Sequence, residues 1–165
     1  MQRRDFIKAG AMFAIPAAWA QQVARPDWRP TVFDEHQNET VIALTEALIP
    51  TTDTPGAKAA RVNRYIDLFL REGSAEQREA FLAGLNWLDG LALHEHGHPF
   101  LHCSAAEQSS ILTAMEQSSG PGKKFFDQAK SLTARIYYNT EIGYRELNKG
   151  GRVPATFGCT HTSHA

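Results

Sequence analysis

Apolar residues recur along most of the chain at the three- and four-residue spacing of an amphipathic helix, and strand-like alternation is scarce. The clearest case is residues 57–72, where five side chains share one helical face: Val62, Tyr65, Ile66, Phe69 and Leu70. A second apolar stripe predicts a helix that Asp34 caps and that Pro50 ends after Ile49. The pattern therefore predicts an all-α protein.

Local signals predict where the other helices begin and end. Residues 74–77 and 104–107 each place Gln or Glu three positions after a serine, which is the capping-box pattern at a helix start. After Gly120-Pro121-Gly122, apolar spacing predicts one long helix from Lys123 to Leu147. The lead before Asp34 and the chain beyond Asn148 have no periodicity. The sequence thus predicts a single bundle of about five helices with extended N- and C-terminal arms.

The first 20 residues are organised like an export signal. A charged start precedes a short apolar run, and a small-x-small sequence ends at Ala20. Four residues match the twin-arginine consensus and predict export by that route: Arg3, Arg4, Phe6 and Lys8. A Sec signal and a short membrane anchor are the alternatives, although a span needs about 20 apolar residues. We expect cleavage after Ala20, a periplasmic location and one domain over residues 21–165.

Charge limits the class of partner. The 165 residues carry 17 Lys and Arg against 18 Asp and Glu, a net charge of −1. The signal has three cations against Asp5, a charge of +2, so the mature chain carries about −3. A mildly acidic protein lacks the basic face that phosphate contacts need, and we expect no nucleic-acid partner.

Histidines between two predicted helices form the sharpest metal candidate. His94, His96 and His98 alternate, and His102 lies beside Cys103. Imidazole and thiolate bind Zn and Cu well, and alternating histidines would present their rings together on an extended segment. The alternative interpretation is a polar, solvent-facing loop. A free periplasmic metal-binding protein using residues 94–102 is therefore the alternative function.

The remaining chemistry concerns cofactors and cysteines. The sequence has no haem-attachment CxxCH, no GxGxxG and no P-loop, so we expect no cofactor and no metal in this chain itself. Cys103 and Cys159 could form an internal disulfide, or one or both could pair with another chain. Thiols tend to oxidise outside the cytoplasm, and the spacing does not decide between the two pairings.

Aromatic residues are more numerous than one small core is expected to absorb. Adjacent Tyr137 and Tyr138 do not both face inward on one helix. Interface cores are enriched in aromatic side chains, although these residues could equally pack beneath the two arms. The candidates for contact with a partner are Trp28, Tyr137, Tyr138, Tyr144 and Phe157.

Three stretches of the chain resemble the small-subunit family called gluconate 2-dehydrogenase subunit 3. The first is residues 46–57, with Ile49-Pro50 followed by Thr54-Pro55-Gly56-Ala57, and the second is Val62-Asn63-Arg64-Tyr65-Ile66-Asp67. The third begins at Tyr137, contains Glu141-Ile142-Gly143-Tyr144 and runs on through Leu147 to residues 157–160. The three stretches stand in the order that they have in that family.

The resemblance implies a non-catalytic small subunit of an exported dehydrogenase for sugars or sugar acids. It implies a large partner subunit of the GMC oxidoreductase type that holds FAD, with an iron–sulfur cluster left open. It also implies a membrane-associated multihaem cytochrome c that accepts the electrons. The small subunit would help the large one to fold and would supply the export signal for both. We accordingly do not expect this chain to be an enzyme by itself.

Overall fold

A computed structural model describes residues 15–147, and every regular element in that part of the chain is helical. Residues 15–147 contain seven α-helices and one short 3-10 turn at Phe100–His102. The α-helices are α1 (Ala17–Ala24), α2 (Glu35–Leu48), α3 (Val62–Glu72), α4 (Ala75–His96), α5 (Ala105–Gln117), α6 (Pro121–Asn139) and α7 (Glu141–Leu147). The all-α class is confirmed for these residues, whereas the expected number of about five helices is too low.

The predicted long helix of residues 123–147 is wrong, because the chain breaks at Thr140 into α6 and α7. Thr140 is extended, with φ −80° and ψ 160°. Its hydroxyl donates to the Tyr137 carbonyl at 2.7 Å and accepts from the Gly143 N–H at 3.2 Å. A Cβ atom at position 143 would collide with the Tyr137 carbonyl, so this close turn needs glycine.

The predicted extended conformation of the N-terminal segment before Asp34 is wrong in part, because this segment contains helix α1, which packs against α3. Val23 buries its side chain in the core. Arg61 and Arg64 donate to its carbonyl at 3.3 Å and 2.8 Å, and so satisfy the C-terminal end of α1. Ala20, the predicted cleavage position, is exposed within this helix. The twin-arginine residues, the other part of the signal prediction, lie outside the described residues.

Helix α6 is the centre of the bundle and contacts α2, α3, α4, α5 and α7. Three phenylalanine rings are in contact across the core. The centroids of Phe33 and Phe81 are 6.0 Å apart with the rings tilted, and those of Phe81 and Phe125 are 5.4 Å apart in an edge-to-face arrangement. Gly84 on α4 leaves the space that the Phe125 ring occupies. None of the helices in residues 15–147 is both long and apolar enough to cross a membrane.

Asp67 fixes the segment that enters α2. It is fully buried on α3, and its carboxylate accepts the backbone N–H groups of Thr31, Val32 and Phe33 at 2.8–3.3 Å. The Thr31 hydroxyl also donates to it at 2.8 Å. A buried carboxylate is tolerated when its lone pairs are used in this way. The segment of residues 31–33 is thereby held against α3.

Candidate partner-binding face

The loop between α2 and α3 is closed tightly by its own polar groups. Glu46 holds both sides of it, because one carboxylate oxygen accepts the Thr51 N–H at 2.8 Å and the other accepts the Lys58 N–H at 2.8 Å. The Thr51 hydroxyl accepts the Gly56 N–H at 2.9 Å. A Cβ atom at Gly56 would lie 2.5 Å from the Thr51 nitrogen, so only glycine permits this approach.

These hydrogen bonds also set the ionisation of Glu46. Partial burial by itself raises the pKa of the carboxyl group, but the N–H groups of Lys58 and Thr51 and the Thr51 hydroxyl outweigh it. The net result is a pKa below the ordinary value of 4.5. Glu46 therefore remains an anion at neutral pH and keeps the loop in one conformation.

Tyr137 joins this loop to the last described helix. Its ring is completely buried on α6, and its hydroxyl oxygen lies 2.6 Å from the Pro55 carbonyl and 2.7 Å from a carboxylate oxygen of Glu146 on α7. The hydroxyl has one proton, so at any moment it donates to one of these two acceptors. The first and third stretches of the family resemblance are therefore in direct contact here.

A pocket of about 100 Å³ lies beside this junction. Its wall is mainly apolar and is formed by Leu48, Ile49, Pro50, Thr54, Ala134 and Tyr138, with Lys130 and Glu146 as the charged members. Two large apolar side chains of α7 are exposed, Tyr144 at 55% and Leu147 at 45%. We call the pocket, Tyr144 and Leu147 the loop–α7 face.

The aromatic residues proposed from sequence occupy different environments. Tyr137 is buried, so its side chain presents no surface, whereas Tyr138 is half-buried in the pocket wall and Tyr144 is exposed. Trp28 is half-buried at a second groove, with the Arg64 guanidinium 4.9 Å above its ring. Phe157 lies outside the described residues. Sequence patterns gave no indication of the Glu146–Tyr137 hydrogen bond, because it spans the break between α6 and α7.

The histidine segment is mostly helical rather than an extended loop. His94 and His96 belong to the last turn of α4, which Gly97 ends with a φ of 79°. The His98 Nδ1 atom lies 3.6 Å from the Cys103 sulfur, and the His96 and His98 rings are 6.4 Å apart. Among residues 15–147, no three His, Cys, Asp or Glu side chains are grouped to hold a metal ion. His102 is exposed on the 3-10 turn.

Cys103 is buried and forms no disulfide within residues 15–147. Burial raises the pKa of this thiol, and the Glu107 and Asp89 carboxylates raise it further. A protonated thiol is a weak nucleophile. Cys159 lies outside the described residues, so both pairings proposed for it remain predictions.

The described residues thus form a small helical bundle with a mainly apolar pocket beside the α2–α3 loop, α6 and α7. The family model described as Gluconate 2-dehydrogenase subunit 3 matches residues 35–151, more than two thirds of the chain. The chain belongs to this family. Searches among curated proteins and among solved structures gave no match. The matched range includes helices α2 to α7 and therefore the whole loop–α7 face.

Proposed function

We propose that this chain is the non-catalytic small subunit of a periplasmic FAD-dependent dehydrogenase for sugars or sugar acids. Membership of the gluconate 2-dehydrogenase subunit 3 family supports the role of a subunit in a larger complex. In this proposal the large flavoprotein subunit holds FAD and the substrate, and a multihaem cytochrome c accepts the electrons. The small subunit assists folding of the large one.

The observation that carries the proposal is the loop–α7 face. Small-molecule sites commonly have about 300–1,000 Å³, whereas this pocket has about 100 Å³, the size of one or two side chains. An apolar cavity that is lined in part by α7, a helix that also exposes Tyr144 and Leu147, is suited to an anchoring side chain of a protein partner. Since Glu46 and Tyr137 fix its walls, little conformational entropy is lost when the partner binds.

The same face accounts physically for assistance in folding. A protein that binds only the folded form of another stabilises it by about 4 kcal/mol at a thousandfold excess over the dissociation constant. Export would follow from the same contact, because the twin-arginine route carries folded proteins. A signal containing Arg3 and Arg4 would then serve both chains.

The test is isolation of the tagged chain from its native source, with the visible spectrum and the identity of the copurifying protein recorded. We expect a yellow complex with a larger flavoprotein that oxidises a sugar in the presence of an artificial electron acceptor. Leu147→Glu should reduce the retained flavin about tenfold, since it buries a charge in the interface. Leu93→Glu is the matched control, because Leu93 is 50% exposed but lies on α4.

Two results would count against the proposal. A colourless chain that elutes alone would show that it has no flavoprotein partner. Equal flavin retention by the two leucine variants would show that the partner does not bind at the loop–α7 face. Export is tested separately by Arg3→Lys with Arg4→Lys. This change should leave the flavoprotein in the cytoplasm if one signal serves both chains.

A further inference from the structure

A second groove is lined by residues 28–30, by the first half of α2 and by the start of α3. It has a volume of about 430 Å³. Its wall contains four cationic side chains and one carboxylate, a local charge of +3 on a chain whose net charge is −1. The members used here are Trp28, Arg29, Glu39, Lys58, Arg61 and Arg64, and we call this site the basic groove.

Little negative charge within the described residues offsets the cations of the basic groove, although the Glu46 carboxylate interacts electrostatically with Lys58. None of the four forms an ion pair with an acidic side chain of residues 15–147. Arg64 donates to the carbonyls of Val23 and Arg25 at 2.8 Å and 3.1 Å, and Arg61 donates to Val23. Burial and the neighbouring Arg61 charge lower the pKa of Arg64.

Backbone geometry at the groove is also unusual. Arg61 has φ 55° and ψ 37°, and it is the one non-glycine residue with positive φ in the described part of the chain. An L-residue in this left-handed conformation is strained, and such strain is concentrated at functional sites. The conformation starts α3 and places the Arg61 side chain beside Arg64 on the groove wall.

Trp28 gives the groove an apolar side. Its indole ring is half-buried, and the Arg64 guanidinium stacks over it at 4.9 Å. An aromatic wall beside several cations matches a peptide that presents carboxylates next to an apolar residue.

We propose that the basic groove docks an acidic segment of a protein partner, which under the function proposed above is the catalytic flavoprotein subunit. A concave site suits a peptide better than the flat surface of a lipid bilayer. The overall negative charge of the chain disfavours nucleic acid, because a polyanion is repelled by the rest of the surface. The basic groove would thus add charge recognition to the apolar contacts of the loop–α7 face.

The first experiment compares flavoprotein retention by Lys58→Glu, Arg29→Glu and the control Lys124→Glu. All three side chains are exposed and form no side-chain hydrogen bond or ion pair within residues 15–147. Because the Lys58 charge lowers the pKa of Glu46, circular dichroism is used to check that Lys58→Glu keeps the wild-type fold, and Arg29→Glu, which lacks this neighbour, decides the test if Lys58→Glu does not. Lys124 lies on α6, away from the groove. We expect the two groove variants each to lose about tenfold in retention, with the loss diminishing at high salt, and the control to match the wild type.

The outcomes separate the two proposals. If the wild type retains the flavoprotein and the groove variants behave like Lys124→Glu, the groove proposal is overturned and the subunit function stands. If the wild type retains no flavoprotein, the subunit function fails, and the isolated chain is titrated with a hexaglutamate peptide. Saturable binding that Lys58→Glu abolishes supports peptide docking. Absent binding, or preference for phosphatidylglycerol vesicles or single-stranded DNA, overturns it.

Discussion

Replacing Tyr137 with phenylalanine tests the junction that holds the loop–α7 face together. The substitution keeps the buried ring on α6 and removes one hydroxyl group. That hydroxyl lies 2.6 Å from the Pro55 carbonyl and 2.7 Å from the Glu146 carboxylate. Any loss of stability therefore reports the hydrogen bonds between the loop and α7, because the apolar packing is retained.

The expected loss of stability depends on the hydrogen-bond acceptors that Tyr137→Phe leaves without a donor. Removing one partner from a buried hydrogen bond costs about 1–3 kcal/mol. Only one bond is donated at a time, since Tyr137 has a single hydroxyl proton. Glu146 is half-buried, so water can replace the hydroxyl at its carboxylate. We therefore expect Tyr137→Phe to lower the free energy of unfolding by about 1–2 kcal/mol, in the lower part of that range.

The assay is urea unfolding followed by circular dichroism, with unchanged slope as the condition for comparing variants. Tyr65→Phe is the matched control. Its ring is 8% exposed, and the hydroxyl has no hydrogen-bond partner among residues 15–147. The control should change stability by less than about 0.5 kcal/mol. If Tyr137→Phe costs no more than Tyr65→Phe, the junction does not stabilise the protein and the reasoning is wrong.

Three further predictions concern α4, the loop and the buried thiol. Gly84→Ala should lower the free energy of unfolding by about 1–3 kcal/mol because the added Cβ collides with Phe125. Gly90→Ala, where the added Cβ meets nothing, should raise it by about 0.5–1 kcal/mol. Thermal unfolding measures both changes, and a shift of the midpoint in the same direction for the two variants would contradict this. Because the folded state lowers the pKa of Glu46, ionised Glu46 adds to the free energy of unfolding above its ordinary pKa of 4.5, and this stabilisation is lost as the pH falls through the lower folded pKa. Urea titrations at several pH values should therefore show a smaller loss of stability in acid for Glu46→Gln than for the wild type, and an equal loss would contradict this. Because the pKa of Cys103 is raised above 9.0, iodoacetamide should modify it in a Cys159→Ser variant more slowly than in the unfolded chain, and equal rates would refute this.

Helix starts could be read from the sequence because their signals are local. The predicted cap at Asp34 is confirmed, since its side chain accepts the Gln37 N–H at 2.8 Å. Ser74 and Ser104 likewise accept the N–H groups three residues later. Each of these contacts is made within one helical turn, so the relevant information lies within four residues.

The helix ends that depend on distant residues could not be read in this way. Apolar spacing continues from Tyr137 to Tyr144, which favours one helix, but Thr140 and Gly143 turn the chain between them. Helix α1 is similar, because the residues that hold its end, Arg61 and Arg64, lie about 40 positions further along the chain. Propensity alone does not specify such contacts.

The candidate sites show the same limit. Residues 46–57 and the stretch beginning at Tyr137 were recognisable as sequence blocks, yet their contact joins positions 82 residues apart. The histidine segment was judged by its alternation, which brings side chains together only on an extended backbone. His94 and His96 lie on α4, where successive residues are rotated by about 100° around the helix axis. Residues two positions apart therefore point to different sides of the helix, and alternation does not bring their rings together.

Under the function proposed above, the stability of α7 and partner binding at the loop–α7 face are physically linked. A seven-residue helix is too short to be stable alone, so α7 depends on its contacts with α6 and on the Glu146–Tyr137 hydrogen bond. A partner that occupies the pocket adds contacts to the same helix and should therefore slow amide exchange in α7 more than elsewhere. Tyr137→Phe should weaken partner binding through this helix, although Tyr137 itself is buried. If the flavoprotein protected other helices and left α7 exchange unchanged, the binding surface would have to lie elsewhere on the bundle.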